Sequence, residues 1–271
     1  MNWSTYTRLA FDYPVDGVLL MRINRPEKKN AMDEILHGEL SRVWRDIAAD
    51  DSTRAVVVTG EGEAFSAGGD FEMVEDSLGN YDTIYRLFHE ASQIVYDIAS
   101  CPKPVISAIN GVAVGAGLAV ALMADVSVMA EDARFTDGHL RLGVGAGDHA
   151  AIIWPLLTSL SKAKYYLLTS DFIDGREAER IGLVSKAVPA SELRATALSI
   201  AEKLANGPAH AIAMTKRTLN LWVRDASPIF EASLALEMLG FFGPDAREGF
   251  TAMQEKRRPV FPSNGIPAAT P

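Results

Sequence analysis

The chain has 271 residues, room for one large α/β domain or two of roughly 150 residues. Hydrophobic residues make up 48% and charged residues 23%, ordinary globular values that exclude disorder over most of the length. Lys plus Arg number 26 against 35 Asp plus Glu, and a net charge of −9 argues against wrapping nucleic acid or lying on an anionic membrane. The single cysteine, Cys101, rules out an internal disulfide and a cysteine-based zinc site, which suits a reducing compartment. The first residues carry no basic-then-apolar leader pattern, so the expected location is the cytoplasm.

Taken in chain order, residues 9–12 and 17–23 read as two strands joined through Pro14 and Asp16-Gly17. Leu36, Leu40, Val43, Trp44 and Ile47 fall at helical spacing and predict an amphipathic helix over 33–49. The run Ala55-Val56-Val57-Val58-Thr59 ends at Gly60 and reads as a buried strand. A polar loop after Asp70 and a helix over 83–100 follow. Residues 104–124 form 21 uncharged positions, the length of a membrane helix. Pro104, the turn pair Asn110-Gly111 and the glycines at 115 and 117 break that reading into strand, loop and short helix. Residues 125–130 read as another strand. Strands alternating with helices predict an α/β fold with a largely parallel sheet.

Beyond about Gly147 the pattern turns helical, over 149–160, 162–168, 175–181, 191–205, 208–222, 228–241 and 245–257, with one strand at 183–188. The chain divides into an α/β core over 1–200, a helical region over 201–262 and a Pro- and Ala-rich tail over 263–271, expected to be disordered.

Two glycine-rich segments can carry chemistry. Phe65-Ser66-Ala67-Gly68-Gly69-Asp70 follows a strand, and Asn110 to Gly117 leads from a strand into a helix. Small residues let backbone N–H groups approach a ligand, and a helix start adds a positive dipole end. Two amides aimed at one point make an oxyanion hole. There is no P-loop, no Gly-x-Ser-x-Gly elbow and no His-Glu-x-x-His. Val120 occupies the third-glycine place of a dinucleotide fingerprint, and the five histidines show no metal-ligand spacing, so no metal is expected.

The ordered set Arg25-Pro26, Asn30-Ala31, Ala55 to Gly60, Phe65 with Gly68-Gly69-Asp70, Pro102 to Ile106, Asn110-Gly111, Ala124-Asp125, Gly182 to Lys186, Arg247-Glu248-Gly249 and Glu255-Lys256-Arg257 resembles the crotonase superfamily, the enoyl-CoA hydratase/isomerase family. The resemblance implies a spiral of ββα units with a helical C-terminal trimerisation region, assembled as a homotrimer or as a hexamer of two trimers. It implies an acyl-CoA substrate and no cofactor beyond the CoA carried by that substrate. By motif, the oxyanion amides are those of Gly69 and Ala116. Ala116 stands where many members have glycine, and only its N–H is needed. Lys28, Lys29, Ala67, Gly68, Asp70 and Lys256 fall in the CoA-contacting segments. An acyl pocket near 71–90 would draw on Met73, Val74, Leu78, Tyr81 and Tyr85.

The departure lies in the acid–base residues. Family hydratases use two glutamates, and the matching positions here are Ala119 and His139. Alanine moves no proton, which puts two-carboxylate hydration in doubt. The segment from Phe135 to His139, with Asp148 nine positions on and Trp154-Pro155 after it, resembles the β-diketone hydrolases of the 6-oxocamphor hydrolase type, which cleave a C–C bond by retro-Claisen reaction. His139 and Asp148 are therefore the expected catalytic pair, with Asp148 orienting the imidazole across a glycine-rich loop. The expected activity is enolate chemistry on an acyl-CoA thioester: isomerisation, atypical hydration or hydrolytic cleavage. The alternatives are a non-catalytic acyl-CoA-binding homologue and a retro-Claisen hydrolase of a free β-diketone. Among the other histidines, His149 is a weaker candidate, His37 reads as a boundary residue of the first helix, and His89 as structural. The nine methionines and Trp222, Phe230, Phe241 and Phe242 read as core and subunit contacts.

Overall fold

The computed structural model describes residues 1–265. Its main sheet opens with β1 (Leu9–Val15) and β2 (Val18–Ile23), paired antiparallel, followed by helix α1 (Glu34–Ala49) and strand β3 (Ala55–Gly60). Helices α2 (Phe71–Ser77) and α3 (Tyr81–Ser100) precede β4 (Val105–Ile109), β5 (Ala113–Val114), α4 (Gly115–Leu122), β6 (Val126–Ala130), β7 (Arg134–Thr136) and α5 (His139–Leu142). Then come α6 (Ala150–Leu157), α7 (Leu160–Thr169), β8 (Ile173–Asp174), α8 (Gly175–Arg180), β9 (Lys186–Val188) and α9 (Leu193–Ala205). The last helices are α10 (Ala209–Leu219), α11 (Leu221–Asp225), α12 (Ser227–Gly240) and α13 (Pro244–Gln254). Six strands pair in the order β1-β2-β3-β4-β6-β9, parallel after the first pair, and β5-β7-β8 form a second sheet.

The α/β expectation and its largely parallel sheet hold. Central strands β3 and β4 are buried almost throughout, as helices on a parallel sheet require, which is why they read as unbroken apolar runs. The uncharged 104–124 stretch holds β4, β5 and all of α4, and among the described residues no helix is long and apolar enough to cross a membrane. Two readings change. The polar loop after Asp70 is the helix α2, because the Asp70 carboxylate caps it by accepting from the Glu72 N–H at 3.3 Å. The two- and three-residue strands β5, β7 and β8 were too short for any periodicity to show. Of the 263–271 tail, Ser263 and Asn264 sit in a 3₁₀ turn, where the Ser263 N–H donates to Asp245 at 3.0 Å, and 266–271 lie outside the described residues.

Side-chain clamps hold the glycine segments in place. Asn30 is fully buried with a left-handed φ of 56°, and its amide donates to the carbonyls of Glu61 at 2.8 Å and Ala64 at 2.7 Å. Its Oδ1 accepts from the Arg25 N–H at 2.9 Å. Asn110 holds the other side of the same loop, accepting from the Gly60 N–H at 3.1 Å and donating to the Gly62 carbonyl at 2.9 Å. A Cβ on Gly111 would sit 1.9 Å from the Glu63 carbonyl oxygen, so only glycine follows Asn110 there. Asn30→Ala removes three buried hydrogen bonds and places alanine in the left-handed region. It should cost roughly 3 kcal/mol in chemical denaturation.

Candidate active site

The two amides expected to form an oxyanion hole, those of Gly69 and Ala116, come from two tethered segments. Phe65 and Ser66 both donate to the Val112 carbonyl at 3.0 Å, and Val114 donates back to Ser66 at 2.9 Å. On the other side Met32 donates to the Gly68 carbonyl at 2.7 Å and Asp70 to the Met32 carbonyl at 2.8 Å. The strand-like lacing leaves the Gly69 N–H without a partner among the described residues. The Ala116 N–H is likewise unpaired, because it belongs to the first turn of α4, where helix amides have no internal acceptor. A Cβ on Gly117 would lie 2.3 Å from the Ser66 Cβ, so glycine there lets α4 start against the Gly68-Gly69 segment. Gly69 and Ala116 line one cavity of about 160 Å³, together with Ala67, Gly68, His139, Asp148 and Glu237.

His139 opens α5 directly after Gly138, whose φ of 82° turns the chain there. Its Nδ1 lies 3.0 and 3.1 Å from the two carboxylate oxygens of Asp137. A carboxylate only accepts, so Nδ1 carries the hydrogen and Nε2 faces the cavity. Nε2 lies 3.5 Å from Glu237 Oε1 and 3.8 Å from Asp148 Oδ2. The expected orienting role of Asp148 therefore passes to Asp137, which the backbone places two residues before the imidazole. Asp148 stands on the Nε2 side, too far for a direct hydrogen bond but facing the same point.

Asp148 is itself held. Its Oδ1 accepts from His149 Nδ1 at 2.5 Å, and the Trp154 indole donates to His149 Nε2 at 3.3 Å. Indole N–H only donates, so that contact fixes the hydrogen of His149 on Nδ1. His149, fully buried behind Asp148, is thus its support and does not reach the cavity. Glu237 comes from α12. The Gly147 N–H donates to its Oε2 at 3.0 Å, and Ser233 donates to the Gly147 carbonyl at 2.9 Å. Asp137 and Glu237 escaped the sequence reading. Asp137 was in view as part of the Phe135–His139 segment, but nothing marked it as the partner, and Glu237 sits 98 positions from His139 on an apolar helix.

Electrostatics separates these groups. Burial disfavours a charged imidazole, but Asp137, Glu237 and Asp148 together outweigh it and raise the His139 pKa well above the ordinary histidine value. Burial raises Glu237 to about 8, reinforced by Asp148 and Asp137 and opposed by His139. Burial also disfavours a charged Asp148, yet its histidine neighbours hold it below the ordinary carboxylate range. The cluster thus favours the charged form at Asp148 and the protonated form at Glu237.

Other predicted residues fall elsewhere. Asp70 is buried, caps α2 and pairs with Arg25 Nη2 at 3.0 Å, so its carboxylate is engaged within the protein. Lys28, Lys29 and Lys256 are exposed, and none lines the cavity. The Lys29 carbonyl accepts from the Ala67 N–H at 3.0 Å, which puts that loop beside the Gly68-Gly69 segment. Met73 and Val74 line the cavity as expected, whereas Tyr81 and Tyr85 stack on each other in the open and Leu78 packs elsewhere. Phe241, Met238 and Met253 turn out to be cavity wall, and His37 is buried and lines it too.

A carboxyl group raised in the native state contributes stability in full below its unfolded value, and loses it as pH rises through its folded value. Glu237 therefore predicts a fall in stability from pH 4.5 to about 8. His139, also raised, acts in the same direction. Glu237→Gln should flatten the stability–pH curve in that window by at least about 1 kcal/mol, read from denaturation midpoints.

The profile of the enoyl-CoA hydratase/isomerase family matches residues 15–264. A probable enoyl-CoA hydratase of Rhodobacter capsulatus is 34% identical over 251 residues, covering 91% of this chain and 95% of that one. The crystal structure of an enoyl-CoA hydratase/isomerase from Mycobacterium paratuberculosis superposes with a TM-score of 0.85 at 32% identity, covering 90% and 98% of the two chains. A β-diketone hydrolase from Anabaena, bound to (S)-3-oxocyclohexyl acetic acid, superposes with a TM-score of 0.82 at 27% identity, covering 88% and 96%. The lacing of the two glycine segments, the paired free amides and the matched length together place this chain in the enoyl-CoA hydratase/isomerase family.

Proposed function

We propose that the protein hydrolyses a carbon–carbon bond of a β-dicarbonyl compound carried as a CoA thioester. The observation that carries this reading is the His139 imidazole, fixed through Nδ1 by Asp137 and facing Asp148 and Glu237 through Nε2, in the cavity that the Gly69 and Ala116 amides share. Ala119, at the place of a hydratase glutamate, is buried and does not line the cavity.

In the proposed reaction Nε2 of neutral His139 takes a proton from water, and the water oxygen adds to the β-carbonyl carbon. Asp137 and Asp148 stabilise the imidazolium that forms. The tetrahedral adduct collapses, the bond between the α and β carbons breaks, and the β-carbon leaves as a carboxylic acid. The electron pair passes to the α-carbon and the thioester oxygen as an enolate, held by the amides of Gly69 and Ala116. The imidazolium then returns its proton to the α-carbon. Glu237, protonated near neutrality, offers an O–H to the adduct oxygen. The cavity of about 160 Å³ is close in size to one that holds benzene, so it takes the acyl group while the CoA stays outside. Lys28, Lys29 and Lys256 make no ion pair among the described residues and are available to CoA phosphates, with the Ala67-Gly68 backbone at the cavity mouth.

The second reading is a free β-diketone substrate, favoured by the likeness to the Anabaena hydrolase. Assembly as a trimer or hexamer is also proposed. Leu236 and Leu239 on α12 and Trp222 on α11 are exposed, whereas Leu234, Met238 and Phe241 are buried, so α12 presents a second apolar face to a partner copy. A stable 29 kDa monomer in light scattering would contradict it.

The test is mass detection of products from 2-oxocyclohexane-1-carbonyl-CoA, crotonyl-CoA and cyclohexane-1,3-dione. The ring thioester should gain one water and open. Crotonyl-CoA hydration should run on the order of 10²–10⁴-fold below a two-glutamate hydratase. His139→Ala should lower ring opening by at least about 10²-fold. Turnover should rise with pH through a limb above the ordinary histidine value, since the carboxylates keep Nε2 protonated below it. Fast crotonyl-CoA hydration with an intact ring thioester would overturn the reading.

A further inference from the structure

The wall of the cavity carries a second histidine–carboxylate pair, outside the cluster around His139. His37, on α1, is 4% exposed and lines the cavity together with Met73, Val74, Leu87 and Ala91. Its Nδ1 lies 2.6 Å from Oε2 of Glu90 on α3, and Arg86 Nη1 reaches the same oxygen at 3.4 Å. Gly38 follows on the same helix, and a Cβ there would make ordinary contact with Glu90 Oε1 at 3.5 Å.

The pair leaves one atom without work. Glu90 accepts, so the His37 hydrogen sits on Nδ1 and points away from Nε2. Among the described residues His37 makes its one side-chain hydrogen bond through Nδ1, and none through Nε2. Although the residue as a whole is buried, Nε2 is not among the fully enclosed side-chain atoms that lack a partner, so it keeps open space beside it. The other wall residues named above are apolar. A histidine held at one nitrogen by a carboxylate, with the other nitrogen at a ligand-sized cavity, is arranged to meet a polar atom of whatever enters.

We propose that His37 Nε2, positioned by Glu90, binds a second oxygen of the acyl group, a ketone or a hydroxyl distinct from the thioester oxygen held by Gly69 and Ala116. The substrate is then an oxygenated ring or short chain and not a plain hydrocarbon acyl group. A neutral imidazole would accept from a hydroxyl, and an imidazolium would donate to a ketone. The inference rests on the reading of this cavity as the acyl site of a CoA thioester.

Calorimetry on the full chain tests it with cyclohexanecarbonyl-CoA as reference against its 3-oxo, 4-oxo and 4-hydroxy derivatives, none of which can undergo retro-Claisen cleavage. At least one oxygenated ester should bind about ten-fold tighter than the reference, the size of one buried hydrogen bond. The derivative that wins tells ketone from hydroxyl. His37→Leu should bring that ratio close to one and leave the reference affinity unchanged. His37→Gln, which keeps a polar group there and guards against misfolding, should retain part of the preference. Glu90→Gln should reduce it. Equal binding of all four esters by the wild type, or an equal loss for reference and derivative in His37→Leu, would overturn the proposal. If no CoA ester binds, the thioester reading alone fails. The comparison then passes to cyclohexane-1,3-dione against cyclohexanone, where loss of the dione preference in His37→Leu supports the role and an unchanged preference refutes it.

Discussion

Asp137 touches both halves of the site. Its backbone carbonyl accepts from the Gly115 N–H at 3.2 Å, at the start of α4, one residue before the Ala116 amide. Its carboxylate fixes Nδ1 of His139. One residue therefore ties the start of α4, next to the Ala116 amide, to the imidazole. The position is also dry: Asp137 is 1% exposed, so water screens little of its interaction with His139. An amide pocket without a placed base would only bind an acyl group, and a base without the amides would have no stable enolate to make.

The charge pattern around the cavity follows from burial. Three acidic side chains surround one imidazole, and not all of them can ionise at low cost so close together. Asp148 keeps its charge because His149, itself fixed by Trp154, donates to it. Among the described residues Glu237 accepts a single hydrogen bond, from the Gly147 N–H, and gives way by holding its proton. The environments push the two carboxyl groups apart, one toward permanent charge and one toward an acid that titrates near neutrality. That division suits a reaction needing both a base and a proton donor.

Much of the fold was legible because its signals are local. The buried run from Ala55 to Thr59, the helical spacing from Leu36 to Ile47 and the turn at Asn110-Gly111 each sit where neighbouring residues alone dictate them. The Gly68-Gly69 and Gly115–Gly117 segments were legible for the same reason, since glycine marks backbone that must come close to something. His139 and Asp148 were expected from the resemblance to the β-diketone hydrolases, but their geometric relation was not legible in it. The imidazole donates its Nδ1 hydrogen to the near carboxylate, Asp137, while Asp148 is turned toward its own neighbour His149. Glu237 and the His37–Glu90 pair are meetings of distant helices with the cavity. No local pattern encodes them, because α12 and α3 read as ordinary amphipathic or apolar helices until their packing is known.

The central claim is that this site breaks a carbon–carbon bond and leaves the thioester whole. Carbon-13 NMR on 2-oxocyclohexane-1-carbonyl-CoA, labelled at the ring ketone and at the thioester carbonyl, tests it most directly. The account predicts that the ketone signal is replaced by a carboxylate signal while the thioester signal persists and no free CoA appears. Release of free CoA with the ring ketone intact would contradict it.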